Sequence, residues 1–341
     1  MIPKPIVAVV PSPGKRRGHR QTAYNLGAVT MNLRTLILPT LILAAACDRA
    51  PSFTDPEVLE VSSAKGGGSK PKWIAFTTDR TGVREIWRVK PDATGLEQLT
   101  SLGENTHPSW SPDGRKIVFT SYRDGGAGEI YIMNADGLNQ RRITNNSSTD
   151  LQPDWSPDGS RIAFSSDATG SFDILGMKPD GSSLEIIARF DDATESNPRW
   201  SPDGKLLAFL SDRNTPGTYN VWVYHAIGSW VKQITFPGVP PQPLAWSPDS
   251  KRVLFHYDVG GGQQNIYGID WETTQSIIVI NSNTLSAPLL PGLAYSGTGD
   301  RLLYIGLGVG NSYLTTANLD GTDRKILTQS SSMHSYPVWA R

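Results

Sequence analysis

From residue 74 onward the chain alternates short apolar runs with tight polar turns. Ile74-Ala-Phe76, Ile117-Val-Phe119, Ile162-Ala-Phe164, Leu207-Ala-Phe209, Val253-Leu-Phe255 and Leu302-Leu-Tyr304 are six copies of one run. Each copy is followed by a second run of β-branched and aromatic residues, such as Glu85-Ile-Trp-Arg-Val89, Glu129-Ile-Tyr-Ile-Met133 or Asn220-Val-Trp-Val-Tyr224. A turn such as Asn134-Ala-Asp-Gly137, Lys178-Pro-Asp-Gly181 or Asn318-Leu-Asp-Gly321 comes next. A last short run closes the unit at Leu99-Thr100, Ile143-Thr144, Ile234-Thr235 or Leu327-Thr328. These are strand and hairpin signals, and no segment keeps a helical period.

The units are punctuated by Trp-Ser-Pro-Asp-Gly at Trp110–Gly114, Trp155–Gly159 and Trp200–Gly204, with a near copy at Trp246–Ser250 and a decayed one at Tyr295–Gly299. Counting on to Trp339, the spacings are 45, 45, 46, 49 and 44 residues. Four strands in about 45 residues is the period of a propeller blade. The predicted fold is all-β, a six-bladed β-propeller of four-stranded antiparallel blades. The first unit lacks an innermost strand, and Tyr336-Pro-Val-Trp-Ala-Arg341 at the C-terminus matches one. That strand is expected to complete blade 1 and remove the open edges. The blades then run 72–100 plus 334–341, 101–144, 145–189, 190–235, 236–280 and 281–328.

The Trp-Ser-Pro-Asp-Gly turns, the Ile-Ala-Phe runs and Ser211-Asp-Arg213 resemble the WD-like repeats of the TolB propeller family, over about residues 72–341. The resemblance implies the propeller and, more distantly, a role in the cell envelope. TolB proteins carry an α/β domain before the propeller. Here a signal-like segment and a tether occupy that place.

Residues 31–47 read as an export signal: Arg34, an apolar stretch from Thr35 to Ala46, then the lone Cys47. The stretch is of signal-peptide length and short for a membrane-spanning helix. It resembles a bacterial lipoprotein signal (31–46), with the box leucine one place early at Leu43, and implies lipidation of Cys47. Residues 1–30 are read as an unstructured or mis-assigned leader and 47–71 as a Gly-, Ser- and Pro-rich flexible tether. The chain has 32 basic and 32 acidic residues; six of the basic ones and no acid lie in residues 1–47, so the remainder carries −6. A mildly acidic body lacks the basic footprint of a nucleic-acid binder.

Trp110, Trp155, Trp200 and Trp246, and the turn residues Asp113, Asp158, Asp203 and Asp249, recur blade after blade and are read as structure. Proline presets φ, aspartate accepts backbone hydrogen bonds, and the tryptophans are expected between blades. No nucleophile elbow, phosphate loop or metal-ligand spacing is present, and neither a cofactor nor a metal is expected. The candidate site is a polar ring at the channel mouth: the residue before proline in each innermost strand, His107, Gln152, Asn197, Gln242 and Tyr336. Loops bearing Glu104, Asp150, Glu195 and His334 are expected to lead into it. His107 and His334 on neighbouring blades leave a metal open as a reading. The expected protein is a non-enzymatic, lipid-anchored monomer of the periplasm or cell surface that binds an envelope protein or peptide. A propeller acting on a glycan or small molecule, and a structural spacer, are the alternatives.

Overall fold

In this computed structural model residues 73–235, 244–258, 264–280 and 289–340 are described. Cys47, Gln242, the leader, the signal and the tether lie outside the described residues. The chain opens blade 1 with β1 (Ile74–Thr78), β2 (Glu85–Val89) and β3 (Glu97–Gln98). Blade 2 is β4 (Asn105–Trp110), β5 (Lys116–Ser121), β6 (Glu129–Asn134) and β7 (Arg141–Arg142). Blade 3 is β8 (Asp150–Trp155), β9 (Ile162–Ser166), β10 (Asp173–Met177) and β11 (Glu185–Ala188). Blade 4 is β12 (Glu195–Trp200), β13 (Leu206–Ser211), β14 (Asn220–His225) and β15 (Trp230–Gln233). Blade 5 is β16 (Ala245–Trp246), β17 (Arg252–Asp258), β18 (Gln264–Asp270) and β19 (Ser276–Ile280). Blade 6 is β20 (Leu289–Tyr295), β21 (Arg301–Gly308), β22 (Asn311–Asn318) and β23 (Lys325–Ser330), and β24 (His334–Trp339) returns to blade 1.

The result is six four-stranded antiparallel sheets, with no helix among the described residues. The first of them has the order β24-β1-β2-β3, so the C-terminal strand completes the blade that the chain began. The innermost strands β4, β8, β12, β16, β20 and β24 lie side by side and close the ring.

The apolar runs fill the six interfaces between blades. Trp110 packs with Ala75, Ile86 and Leu99 of blade 1 and with Ile117 and Phe119 of blade 2. Trp155, Trp200 and Trp246 repeat this at the next three interfaces. Tyr295 and Trp339 take the position in blades 6 and 1. Repetition thus has a packing cause, since each blade needs one large side chain to fill the wedge against its neighbour.

The turns that follow these aromatics are held by their own side chains. Ser111 Oγ donates to Asp113 Oδ1 at 2.6 Å, and Arg115 N donates to the same oxygen at 3.0 Å. Ser156–Asp158, Ser201–Asp203 and Ser247–Asp249 are copies. In the decayed turn Thr298 replaces the aspartate, and Ser296 Oγ turns to Asp300 instead, at 2.8 Å. Ser250 takes the glycine position of blade 5 with φ of 60°. Its hydroxyl accepts a bond from Asp203 N of blade 4 at 3.1 Å, which offsets the strain. Asp158→Ala removes an acceptor for Ser156 Oγ and for Ser160 N and Oγ. It is expected to cost about 1–2 kcal/mol in urea unfolding.

Candidate functional site

Among the described residues, five of the six innermost strands, β4, β8, β12, β20 and β24, carry a break in register. The pairing of β4 with β5 jumps between Thr106 and Ser109, that of β8 with β9 between Leu151 and Asp154, and that of β12 with β13 between Ser196 and Arg199. The closing strand jumps opposite Ala75 and Thr77. The bulged residues are His107-Pro108, Gln152-Pro153, Asn197-Pro198 and Tyr336-Pro337. Proline donates no backbone hydrogen bond, which suits it to a bulge.

The residue before each of these prolines has positive φ: 53° at His107, 57° at Gln152, 55° at Asn197 and 49° at Tyr336. A following proline favours extended backbone, and a side chain penalises positive φ. The same strained conformation therefore recurs four times. Blade 6 breaks the pattern with Pro291-Gly292. A Cβ on Gly292 would collide with the Pro337 ring, so the approach of blades 6 and 1 requires glycine there.

The ring residues touch across blades. His107 stacks on Tyr336 with ring centroids 3.6 Å apart and 30° between planes. Gln152 Oε1 accepts from Asn197 N of the next blade at 3.0 Å and from Ser165 Oγ at 3.1 Å. His107 Nδ1 pairs with Thr106 Oγ1 at 2.9 Å, whereas its Nε2 is buried and has no partner. Asn197 Oδ1 is also buried without one. Burial holds the His107 pKa well below the usual histidine value, with Arg199 and Arg84 adding to it, so the imidazole is neutral. Burial raises Tyr336. Arg84 forms an ion pair with Glu104.

A cavity of about 270 Å³ lies between the innermost strands, lined in part by Tyr336. Asp154 and Arg199 line one side, and Leu244, Ala294 and Val338 line the other. Asp154 is fixed by Ser109 Oγ at 3.0 Å and Trp200 N at 2.8 Å, so one carboxylate ties blades 2, 3 and 4 together.

The expected loop residues sit elsewhere than the sequence implied. Asp150, Glu195 and His334 are the first residues of β8, β12 and β24, and all are buried. The corresponding residue of blade 2 is Asn105, with Glu104 just outside the strand. The reason is the bulge, which places the strand start two residues before the ring. These side chains form a second polar layer. Asn105 Nδ2 donates to Glu85 at 2.8 Å, Thr100 Oγ1 donates to the same carboxylate, and Thr100 Oγ1 accepts from Ile86 N. Thr144 with Glu129 and Ile130 N repeats this. The recurring Leu-Thr and Ile-Thr ends thus fasten the end of each blade to its third strand, Asn105 links blade 2 to Glu85 of blade 1, and Glu85 and Glu129 are partners that sequence reading passed over.

Blade 3 has Arg189 where this threonine should be, 3.9 Å from Asp173. Asp173 there faces Glu195 of blade 4, and Glu195 is pushed up to about 8, by burial first and by Asp173 second. His334 stacks on Phe76, with Nδ1 bonded to Ser312 and Nε2 to Arg80. Both of its nitrogens are therefore already engaged in packing. No group of three or more metal-ligating side chains occurs among the described residues.

Residues 103–235 match the family model of the TolB beta propeller domain. The chain carries a TolB-like β-propeller. The Tol-Pal system protein TolB of Geobacter sulfurreducens is 42% identical over 62 residues, 18% of this chain and 14% of that one. The chain thus matches well under two thirds of that relative. The crystal structure of TolB from Acinetobacter baumannii superposes with a TM-score of 0.65 at 21% identity, over 79% of this chain and 66% of that one. An oligogalacturonate lyase in complex with manganese superposes with a TM-score of 0.51 at 13% identity, over 74% of this chain and 73% of that one. At these identities both likenesses are likenesses of fold. The TolB-like propeller here differs from a bare scaffold in its strained, partly unpartnered mouth.

Proposed function

We propose that this TolB-like propeller is a non-enzymatic, lipid-anchored envelope protein that binds a protein or peptide segment at the channel mouth. The observation that carries the reading is the pair of orphaned buried groups, His107 Nε2 and Asn197 Oδ1, in a ring of four strained residues. A buried polar atom without a partner costs about 1–3 kcal/mol, and strain of this kind gathers where ligands are clamped. A hydrogen-bonding segment laid across the mouth would satisfy both groups. The cavity beneath is smaller than the roughly 300–1,000 Å³ of small-molecule sites, and it suits an inserted side chain.

A roomier groove of about 410 Å³ runs along β11 between blades 3 and 4, but it is lined mainly by aliphatic side chains such as Ile186 and Ile187. Binding at the mouth is preferred because two residues of the ring keep buried polar atoms without partners. Export and anchoring rest on the segment 31–47 and on the relation to periplasmic TolB proteins.

Crosslinking of tagged protein in native envelopes is expected to capture one envelope protein or peptide segment. His107→Ala and Asn197→Ala should each reduce that capture at least roughly tenfold, a loss of about 1.4 kcal/mol, in chains that still melt cooperatively. Capture that is indifferent to both substitutions would remove the mouth from the reading. A glycan-array signal abolished by a chelator would favour the enzyme alternative instead.

A further inference from the structure

The two ends of the propeller differ in a way the channel mouth does not explain. The innermost strands all start at the mouth, so their Ser-Pro-Asp-Gly turns lie at the opposite end. The hairpins joining the third and fourth strands of each blade lie at that end too. We call it the turn face. Ile74 pairs with Trp339 at the far end of β24, and Ala340 N bonds to Trp73 O. The chain therefore enters the propeller at the turn face, and the segment bearing Cys47 joins it there.

That face presents one large apolar side chain from every blade, in or next to the hairpin between its third and fourth strands. They are Leu96, Leu138, Leu184, Ile227, Trp271 and Ile326. Leu138 is 63% exposed, Leu184 58% and Ile227 78%. Trp271 is half-buried and stacks on exposed Trp230, which stacks on His225, at 5.9 and 4.9 Å between centroids. Six of the seven described lysines, from Lys90 to Lys325, also lie at this end of their blades, whereas Lys232 is mid-strand with its Nζ donating to the carbonyl oxygens of Trp271 and Glu272. Turn aspartates share the face, so its charge is mixed. Among the described residues the mouth also exposes apolar side chains, Val83, Leu102, Val309 and Met333, and these belong to blades 6, 1 and 2. Among the described residues, apolar side chains drawn from all six blades, most of the lysines and the chain entry coincide at the turn face.

We propose that the turn face rests on a lipid bilayer, seating the propeller with its channel mouth pointing away from the membrane. Apolar side chains with tryptophan among them enter the interface between headgroups and acyl chains, and lysines reach lipid phosphates. A tether of about two dozen residues has an r.m.s. reach of roughly 25–30 Å, short enough to hold its own end of the propeller nearest the surface. The seating rests on the reading of Cys47 as an anchor.

The test uses the full chain with Cys47 in place, bound to vesicles of phosphatidylethanolamine and phosphatidylglycerol. A second cysteine is introduced at an exposed position, Leu138→Cys or Ile227→Cys on the turn face, Leu102→Cys or Met333→Cys at the mouth. A water-soluble, membrane-impermeant maleimide is expected to label the turn-face pair roughly tenfold more slowly than the mouth pair, the change that about 1.4 kcal/mol of bilayer contact produces. Dissolving the vesicles in detergent should erase the difference. Equal rates on vesicle-bound protein would overturn the seating while leaving the anchor intact. Protection that survives detergent would mean a protein cover and would equally overturn it. A chain that washes off the vesicles would sink the anchor reading and the seating together.

Discussion

A chain ending after Met333 is expected to lose cooperative folding altogether, not a single strand. β24 is the innermost strand of blade 1 and also a neighbour of β20 and β4, so it belongs to three blades at once. Its removal takes Trp339 from the interface of blades 6 and 1, and Val338 and Ala340 from that of blades 1 and 2. It also strips His107 of its stacking partner Tyr336 and His334 of its place between Phe76 and Ser312. At roughly 1.5–3 kcal/mol for each buried apolar side chain the direct loss is about 5–10 kcal/mol. That equals the whole stability of an ordinary domain. The exposed edge of β1 would then invite association. Thermal melts followed by circular dichroism should show no sharp transition, and a peptide of residues 334–341 added in trans should restore one. A truncated chain that melts cooperatively near the full-length temperature would show that five complete blades and a three-stranded sixth suffice.

The closure was legible because it is written in a repeated motif. Tyr336-Pro-Val-Trp339 copies the pattern of Asn197-Pro-Arg-Trp200, and the missing first strand of blade 1 left a gap of the same kind. The Trp-Ser-Pro-Asp-Gly turns were legible for the same reason, and even the decayed copy kept its hydrogen bond through Asp300. The second polar layer was not. A bulge adds a residue to one strand without changing the sequence period, so the step from Glu104 to Asn105, or from loop to strand at Asp150, leaves no trace in the spacing. Nor does a motif reveal positive φ at His107 or Gln152, where the residue type and the following proline both argue for extended backbone. Threonines such as Thr100 and Thr144 were visible as repeat ends, but their link to Glu85 and Glu129 is made in three dimensions. Where blade 3 lacks the threonine, the interface is left with two buried carboxylates.

Those carboxylates set the second large effect, a stability maximum near pH 6.5. His107, His256 and His334 are buried and neutral, the last two with pKa values lowered to about 4, chiefly by burial. Unfolded histidine takes a proton near 6.5 that the folded sites refuse, so stability is lost as the pH falls from 6.5 towards 4. Glu195 acts in the opposite sense. Its pKa rises from 4.5 to about 8, so the folded chain keeps a proton that the unfolded chain releases, and stability is lost as the pH rises across that window. Glu85, Glu129 and Asp150 are raised by burial too and act in the same direction as Glu195. Below 6.5 the three histidines outweigh Glu195. Above 6.5 they no longer titrate, and the proton that Glu195 retains makes stability fall as the pH rises, by on the order of 1 kcal/mol by pH 8. Urea midpoints measured across this range should show the decline, and Glu195→Gln, which keeps a hydrogen-bonding side chain beside Asp173 and Ser211 without an ionisable proton, should flatten it. If the variant keeps the wild-type slope above pH 6.5, the proton held at the interface of blades 3 and 4 is not the one that matters.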